Sequence, residues 1–376
     1  MGGSTAKIRP SFLNGMVYIA TFLAVMGLLA VLSFHFPQYL TTPQLREVYS
    51  EEQVRTLLFS GLMLGSLLAI IGVMFSPMKR LSLLALFTLV VAWLGGGSDV
   101  PLDGPVRSPD FYISLDWLLL DLLLIATLFI NVELFFRLKK DQVILRRDWQ
   151  VDLAHYVANH LFNGLLVVAL FIPAQSLERI LGLQSIQTFF SSLYLPLQVL
   201  LIMIVTDLAQ YWVHRAFHQV PLLWRFHRIH HSVEVMDWLA GSRLHIFDVL
   251  VTRSISLVPM VLLGFSPEAI NLYLPILALQ SVFNHCNLQF EFAALQKIIA
   301  TPKFHHWHHT SDEGCMDRNF AVSLPVLDLI FGTYYSPPGH WPEQYGCTGP
   351  KIHPNYFAHL LAPFKNAKSD SRTCAD

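Results

Sequence analysis

The sequence predicts an all-α, polytopic membrane protein of about eight transmembrane helices with a cytoplasmic, histidine-rich helical cap. Three observations predict it. Of 376 residues, 53% are hydrophobic and 14% charged, whereas about a quarter of a soluble domain is charged. Apolar runs of bilayer length recur along the chain. Lys and Arg gather on alternate connecting segments, as a chain crossing back and forth requires.

The first run, "GMVYIATFLAVMGLLAVLSF" (15–34), exceeds the apolar core of a signal peptide and no small-residue cleavage site follows it, so it reads as an uncleaved span. "LLFSGLMLGSLLAIIGVMF" (57–75) is a second span. "LSLLALFTLVVAWLG" (81–95) is shorter and runs into "GGGS", read as a flexible connector. The fourth run, "FYISLDWLLLDLLLIATLFINVELFF" (111–136), carries Asp116 and Asp121, five apart and therefore not partners on one helix face. Spans are expected at 156–173 and 188–206. A last pair, 247–263 and 267–284, is separated by "GFSP" and reads as a helical hairpin, with Pro259 kinking its first arm.

Lys7 and Arg9 precede the first span, Lys79 and Arg80 follow the second, and "RLKKDQVILRR" (137–147) follows the fourth. The connector 96–110 is mostly acidic instead. Both termini inside satisfies this pattern, and it puts 207–246 and 285–376 in the cytoplasm. Residues 1–150 read as an N-terminal transmembrane module without a recognisable role or repeat, 151–345 as the functional domain, and 346–376 as an interfacial segment and disordered tail. The net charge of −1 gives no reason to expect nucleic acid as a partner. Cys286, Cys315, Cys347 and Cys374 are far apart without a CxxC pair, which fits reduced thiols rather than a disulfide framework or a zinc–sulfur site.

Most of the 17 histidines fall between 214 and 309. "HRAFH" sets His214 and His218 four apart, on one face of a helix that continues the preceding span. "HRIHH" supplies His227, His230 and His231, and "HHWHH" repeats the HxxHH spacing with His305, His308 and His309. In each HxxHH the middle histidine is angled toward a neighbouring site, so two such units facing an HxxxH helix suit two metal ions. Imidazole suits iron, copper, nickel and zinc alike. HExxH and ExxH helices are absent. An all-nitrogen dinuclear centre at a bilayer edge favours iron used with dioxygen, although ligand chemistry alone does not exclude zinc or copper. His35, His155, His160, His340, His353 and His359 read as surface, interfacial or core residues. Trp212, Trp224, Trp238 and Trp307 interleave with the histidines and read mainly as membrane-interface residues.

The order HxxxH, HxxHH, a lone histidine after a hydrophobic hairpin, and "TPKFHHWHHTSDEGCMDRNF" resembles the fatty acid hydroxylase/sterol desaturase superfamily of membrane di-iron enzymes, over roughly 195–340. The run through "AVSLPVLDLIFGTYY" is especially similar to alkylglycerol monooxygenase-like members and their bacterial relatives. The resemblance implies metal ligands, and hence the catalytic set, at His214, His218, His227, His230, His231, His285, His305, His308 and His309; His306 occupies a variable position. It leaves His245, in "SRLHIFD", as a ligand or a residue orienting one. Asp207 shares a helix face with His214 and is either an acceptor for a ligand's second N–H or a plain interfacial carboxylate. Asp317 and Asn319 match the family pattern in supporting roles.

The implied activity is oxidation of a membrane lipid (ether lipid, fatty acyl chain or sterol) by two non-haem iron ions and dioxygen, through hydroxylation or desaturation. No HPGG, Gly-rich dinucleotide fingerprint or ferredoxin CxxC is present, so electrons are expected from a separate reductase, a ferredoxin or a pterin. Two other classes remain to be weighed: a non-catalytic metal-binding membrane protein of the same fold, and a bis-histidine haem protein moving electrons. The sequence does not indicate an oligomeric state.

Overall fold

The computed structural model describes residues 10–42, 46, 50–101, 113–291, 295–312, 314–347 and 351–365. Among these, regular structure is helical, with two isolated bridges and no strand. The chain divides into two compact units, Met1–Leu123 and Leu124–Asp376.

In the first unit, α1 (Pro10–His35), α2 (Glu51–Phe75) and α3 (Lys79–Leu94) pack together, and α4 (Leu115–Phe135) begins. A capping box opens α2, with Ser50 accepting from the Gln53 N–H while the Gln53 side chain takes the Ser50 N–H. Leu57, Phe59, Met63, Leu67, Ile70 and Met74 face outward, whereas Leu58, Leu62, Gly65, Ala69 and Gly72 are buried. This inversion suits a lipid surround, where small residues let helices approach closely. A Cβ at Gly27 would stand 2.5 Å from Leu62, and one at Gly72 2.7 Å from Ser82. The "GGGS" connector is an ordered turn rather than a loose one. Gly96 and Gly97 take φ of 103° and 54°, and the Arg55 guanidinium donates to the carbonyls of Ser98 and Val100. Asp116 accepts the Thr42 N–H and hydroxyl, each at 3.0 Å.

The second unit contains α5 (Trp149–Leu181), α6 (Gln184–Ser192), α7 (Leu195–Gln219), α8 (Pro221–His231), α9 (Ile246–Leu262), α10 (Pro267–His285), α11 (Pro302–His308), α12 (Val326–Ile330) and α13 (Tyr356–Leu361). Ile202, Met260, Phe265, Ala269, Tyr273 and Leu277 form the core shared by α7, α9 and α10. The expected hairpin is α9–α10. It turns at Gly264 (φ +70°), and Ser266 caps α10 ahead of Pro267.

Among the described residues, five helices are long and apolar enough to cross a membrane: Leu13–His35, Glu51–Phe75, Lys79–Asp99, Leu115–Phe135 and Leu195–Gln219. Four of them match the expected spans 15–34, 57–75, 81–95 and 111–136, and Leu195–Gln219 overlaps the expected 188–206, a stretch that is broken after Ser192 before Pro196 opens the helix. Of the other three expected spans, 247–263 falls in α9, which at 17 residues is short for a crossing. The tail expected to be disordered, with Cys374, lies outside the described residues.

Candidate metal centre

Helix α7 carries His214 and His218 one turn apart. Pro221 then ends that direction and starts α8 at once, because a proline has no N–H to give α7 but is suited to a first helical turn. The corner brings His227, His230 and His231 back onto α7. His285 is the last residue of α10, and α11 is a seven-residue helix capped by Thr301 with Pro302 at its start. All nine rings are buried.

They assemble into two adjoining groups. His214, His218, His227, His231 and His308 form one, and His230, His285, His305 and His309 the other; within each, the candidate ligand atoms lie within 4.8 Å of one another. The HxxHH spacing explains the sorting. Helix α8 gives its i and i+4 histidines to the group of five and its i+3 histidine to the group of four. Helix α11 does the reverse, sending only His308 across.

Hydrogen bonds fix most of the tautomers. Nδ1 of His214 donates to the Phe320 carbonyl (2.7 Å), His308 to that of Arg318 (2.8 Å), and His218 to the Asp317 carboxylate (2.8 Å). His227 donates to Asp248 at 2.6 Å, His230 to the Arg243 carbonyl at 3.2 Å, and His285 to that of Ser281 at 2.8 Å. These oxygens only accept, so each Nδ1 holds the proton and each Nε2 presents a lone pair. Yet Nε2 of His214 lies 3.0 Å from that of His227, and Nε2 of His230 lies 3.3 Å from that of His285. Lone pair facing lone pair in a buried site is unfavourable without a cation between them. The spacing suits one: adjacent ligands at about 2.1 Å from a metal stand about 3.0 Å apart. Nδ1 of His305 and His309 are buried without a hydrogen-bond partner. The residues therefore fit a metal-ligating role in donor type, tautomer and spacing.

Protons do not substitute for the metal. Burial, reinforced by neighbouring imidazoles, holds His230, His231, His305, His308 and His309 well below the ordinary histidine range, so they are neutral near pH 7. Neighbouring rings are as close as 4.3 Å between His285 and His305 and 4.4 Å between His231 and His309. That spacing leaves no slot for a porphyrin between paired imidazoles.

Residues 199–333 match the family model of the fatty acid hydroxylases. Over these residues the chain is similar to the fatty acid hydroxylase family. Ornithine lipid hydroxylase of Rhizobium tropici is 32% identical over 168 residues, which are 44% of this chain and 50% of that protein. Human alkylglycerol monooxygenase is 30% identical over 128 residues, 34% of this chain and 28% of that protein. A very-long-chain aldehyde decarbonylase of Oryza sativa subsp. indica is 33% identical over 135 residues, 33% of this chain and 21% of that protein. The matched segment thus spans half or less of each relative. No solved structure matches the chain. With five helices of spanning length among the described residues and this similarity, the chain is an integral membrane protein.

Within the matched region, His245 joins neither group. It caps α9, its Nδ1 accepting the Phe247 N–H at 3.0 Å and its Nε2 donating to the Leu360 carbonyl at 3.2 Å. With both nitrogens used in holding α9 and the C-terminal segment, neither faces a group. Asp207 touches no imidazole either. It accepts the N–H groups of Val322, Ser323 and Leu324 at 3.0, 3.1 and 2.6 Å. The acceptor role considered for Asp207 is filled by Asp317. Asn319 pins its segment by donating to the carbonyls of Phe304 and Tyr335 and accepting the Tyr335 N–H. Both Asp317 and Asn319 have φ of 59°, a conformation these two residue types tolerate best after glycine. His306 is set apart, between the Tyr345 hydroxyl and the Cys286 carbonyl.

Sequence reasoning missed Asp248, Arg243 and Gly241. Arg243 is held by Asp152 (2.5 Å), which also pairs with Arg146 (2.6 Å), so a buried ion network fixes the carbonyl that orients His230. Gly241 makes room for His285, since a Cβ there would meet its Nδ1 at 2.6 Å. "SRLHIFD" did hold a signal for Asp248, a carboxylate one turn into the helix after His245. Trp224, read as an interface residue, is buried with its ring 5.3 Å from both His218 and His231, whereas Trp212 is exposed.

Proposed function

We propose that this protein is a membrane-bound, non-haem di-iron oxidoreductase that uses dioxygen to hydroxylate a membrane lipid. The observation that carries the reading is the pair of adjoining histidine groups whose Nε2 lone pairs converge with no proton to separate them. The match to the fatty acid hydroxylase family supports iron as the metal, and the lipid hydroxylase and monooxygenase relatives support the substrate class.

Nine histidines, His214, His218, His227, His230, His231, His285, His305, His308 and His309, would hold two iron ions. Bound iron would supply the activation of dioxygen needed to oxidise an unactivated C–H bond. The chain's own contribution is preorganisation. Asp317, Asp248 and the carbonyls of Arg318, Phe320, Arg243 and Ser281 hold imidazole protons at Nδ1, so every ring so held faces inward as a lone-pair donor. The buried setting, with Trp224 over His218 and His231, keeps water from the rings.

An ether lipid, a fatty acyl chain and a sterol all fit this chemistry. The Lys/Arg distribution supports a cytoplasmic histidine cap with the substrate entering from the bilayer. Electrons come from a separate reductase, ferredoxin or pterin. The reading is tested on iron-reconstituted, detergent-purified protein given reductant and total lipid extract. Lipid-dependent dioxygen consumption, with a lipid product heavier by one oxygen atom, is expected. His230→Ala protein that stays folded and oxidises lipid at the wild-type rate would defeat it.

A further inference from the structure

The two histidine groups are backed differently, a contrast that bears on function only if the metal-centre reading above holds. Around the group of five, four Nδ1 atoms donate to oxygens, and two of these belong to carboxylates, Asp317 and Asp248. Three of the four acceptors come from the single stretch 317–320. That stretch is itself strapped down. Asp328 accepts the N–H groups of Phe320 and Ala321 at 2.7 and 2.9 Å, and Asp207 takes the next three. Around the group of four the backing is neutral and sparse. His230 and His285 donate to carbonyls, while Nδ1 of His305 and His309 meets no partner.

We infer that the two positions are unequal metal sites: the group of five binds its ion first and tightly, and the group of four is the weaker, later-filled position. A carboxylate on the far nitrogen makes an imidazole a more basic ligand and fixes its orientation before the metal arrives. Such backing changes metal affinity by about 10- to 100-fold. His305 and His309 gain neither advantage, and each ring must be oriented by the metal itself. Asp328 acts as a positioning residue for the tight site. It touches no histidine, yet it holds the backbone that presents the Phe320 carbonyl to His214 and, two residues earlier, the Arg318 carbonyl to His308.

The test is a Co(II) titration of the metal-stripped full chain in detergent, read by visible absorption with a competing chelator. Two steps are expected, separated by at least about tenfold in affinity. His309→Ala should keep the tight step and lose the weak one, and His231→Ala should do the opposite. Asp317→Asn and Asp328→Asn should each weaken the tight step about 10- to 100-fold and leave the weak step where it was. Asp317 is partly exposed, so its variant keeps the test open should Asp328→Asn not fold. Two equivalent ions in one step, a first ion that survives in His231→Ala and is lost in His309→Ala, or equal weakening of both steps in the aspartate variants would overturn the inference. Binding of no metal at all would overturn the metal-centre reading, and this inference with it.

Discussion

At Gly241 one methyl group decides whether His285 can stand where it does. The Cβ of Gly241→Ala would lie 2.6 Å from the ring's Nδ1 and 2.9 Å from its Cε1, so the imidazole must leave Ser281 and His230. Overpacking of this kind costs about 1–3 kcal/mol. The variant should unfold at lower temperature and retain one metal ion per chain instead of two, as metal analysis of the reconstituted protein would report. A second residue-scale prediction concerns His155 and His359. They are buried, with Nε2 of one and Nδ1 of the other 3.0 Å apart. Burial, with Arg243 and His245 near His155 and with His155 and Arg243 near His359, holds both down to about 3. Their folded values lie below the ordinary value near 6.5, so as pH falls the unfolded chain takes up protons first. Their contribution to stability is complete above about pH 6.5 and is lost as pH falls toward 3. Thermal unfolding of the metal-free protein should shift to lower temperature from about pH 7.5 to 5, and less steeply once both residues are phenylalanine. The sequence exposed eight of the nine histidines through their spacing, and His285, alone after the hairpin, only through the family resemblance. It hid Gly241, Arg243 and Asp248, whose roles exist only through space.

Among the elements, α8 and α11 are short helices with one motif used in opposite senses, and this is why two HxxHH units can serve two positions. That much was legible, since in each HxxHH the middle and last histidines are sequence neighbours on a helix and so point in directions well apart from each other. Two other readings failed for identifiable reasons. Asp207 does share a face with His214, seven residues on, but the 322–324 backbone comes within its reach and takes the carboxylate. The break after Ser192 was invisible to hydropathy because apolar residues continue across it, and Pro196 alone marked it. Asp207→Ala would leave three buried N–H groups unsatisfied. At about 1–3 kcal/mol each, it should lower stability by about 3 kcal/mol or more, measurable as a drop in denaturant midpoint. A merely orienting role for one imidazole would cost far less.

For the whole molecule, the helical membrane class followed from composition and run length, and the first unit's outward-facing Leu, Met and Phe with inward-facing Gly, Ala and Ser agree with it. Among its described residues the first unit holds no group of three or more His, Cys, Asp or Glu side chains placed to bind a metal ion. With the eight crossings read from the sequence, both termini and the 207–246 segment should be accessible from the cytoplasm only, a prediction for accessibility labelling in intact cells; labelling of 207–246 from outside would overturn the proposed topology. Bound metal should also stabilise the fold by relieving the facing lone pairs, so chelation should lower the unfolding temperature and iron restore it.

The measurement that bears most directly on the central claim is iron content together with dioxygen uptake, on one preparation of purified protein supplied with reductant and lipid. Two irons per chain with uptake that depends on added lipid is the predicted result. A site that takes zinc but no iron after anaerobic reconstitution, with no lipid-dependent uptake, would contradict the account and leave the histidine cluster a structural cap.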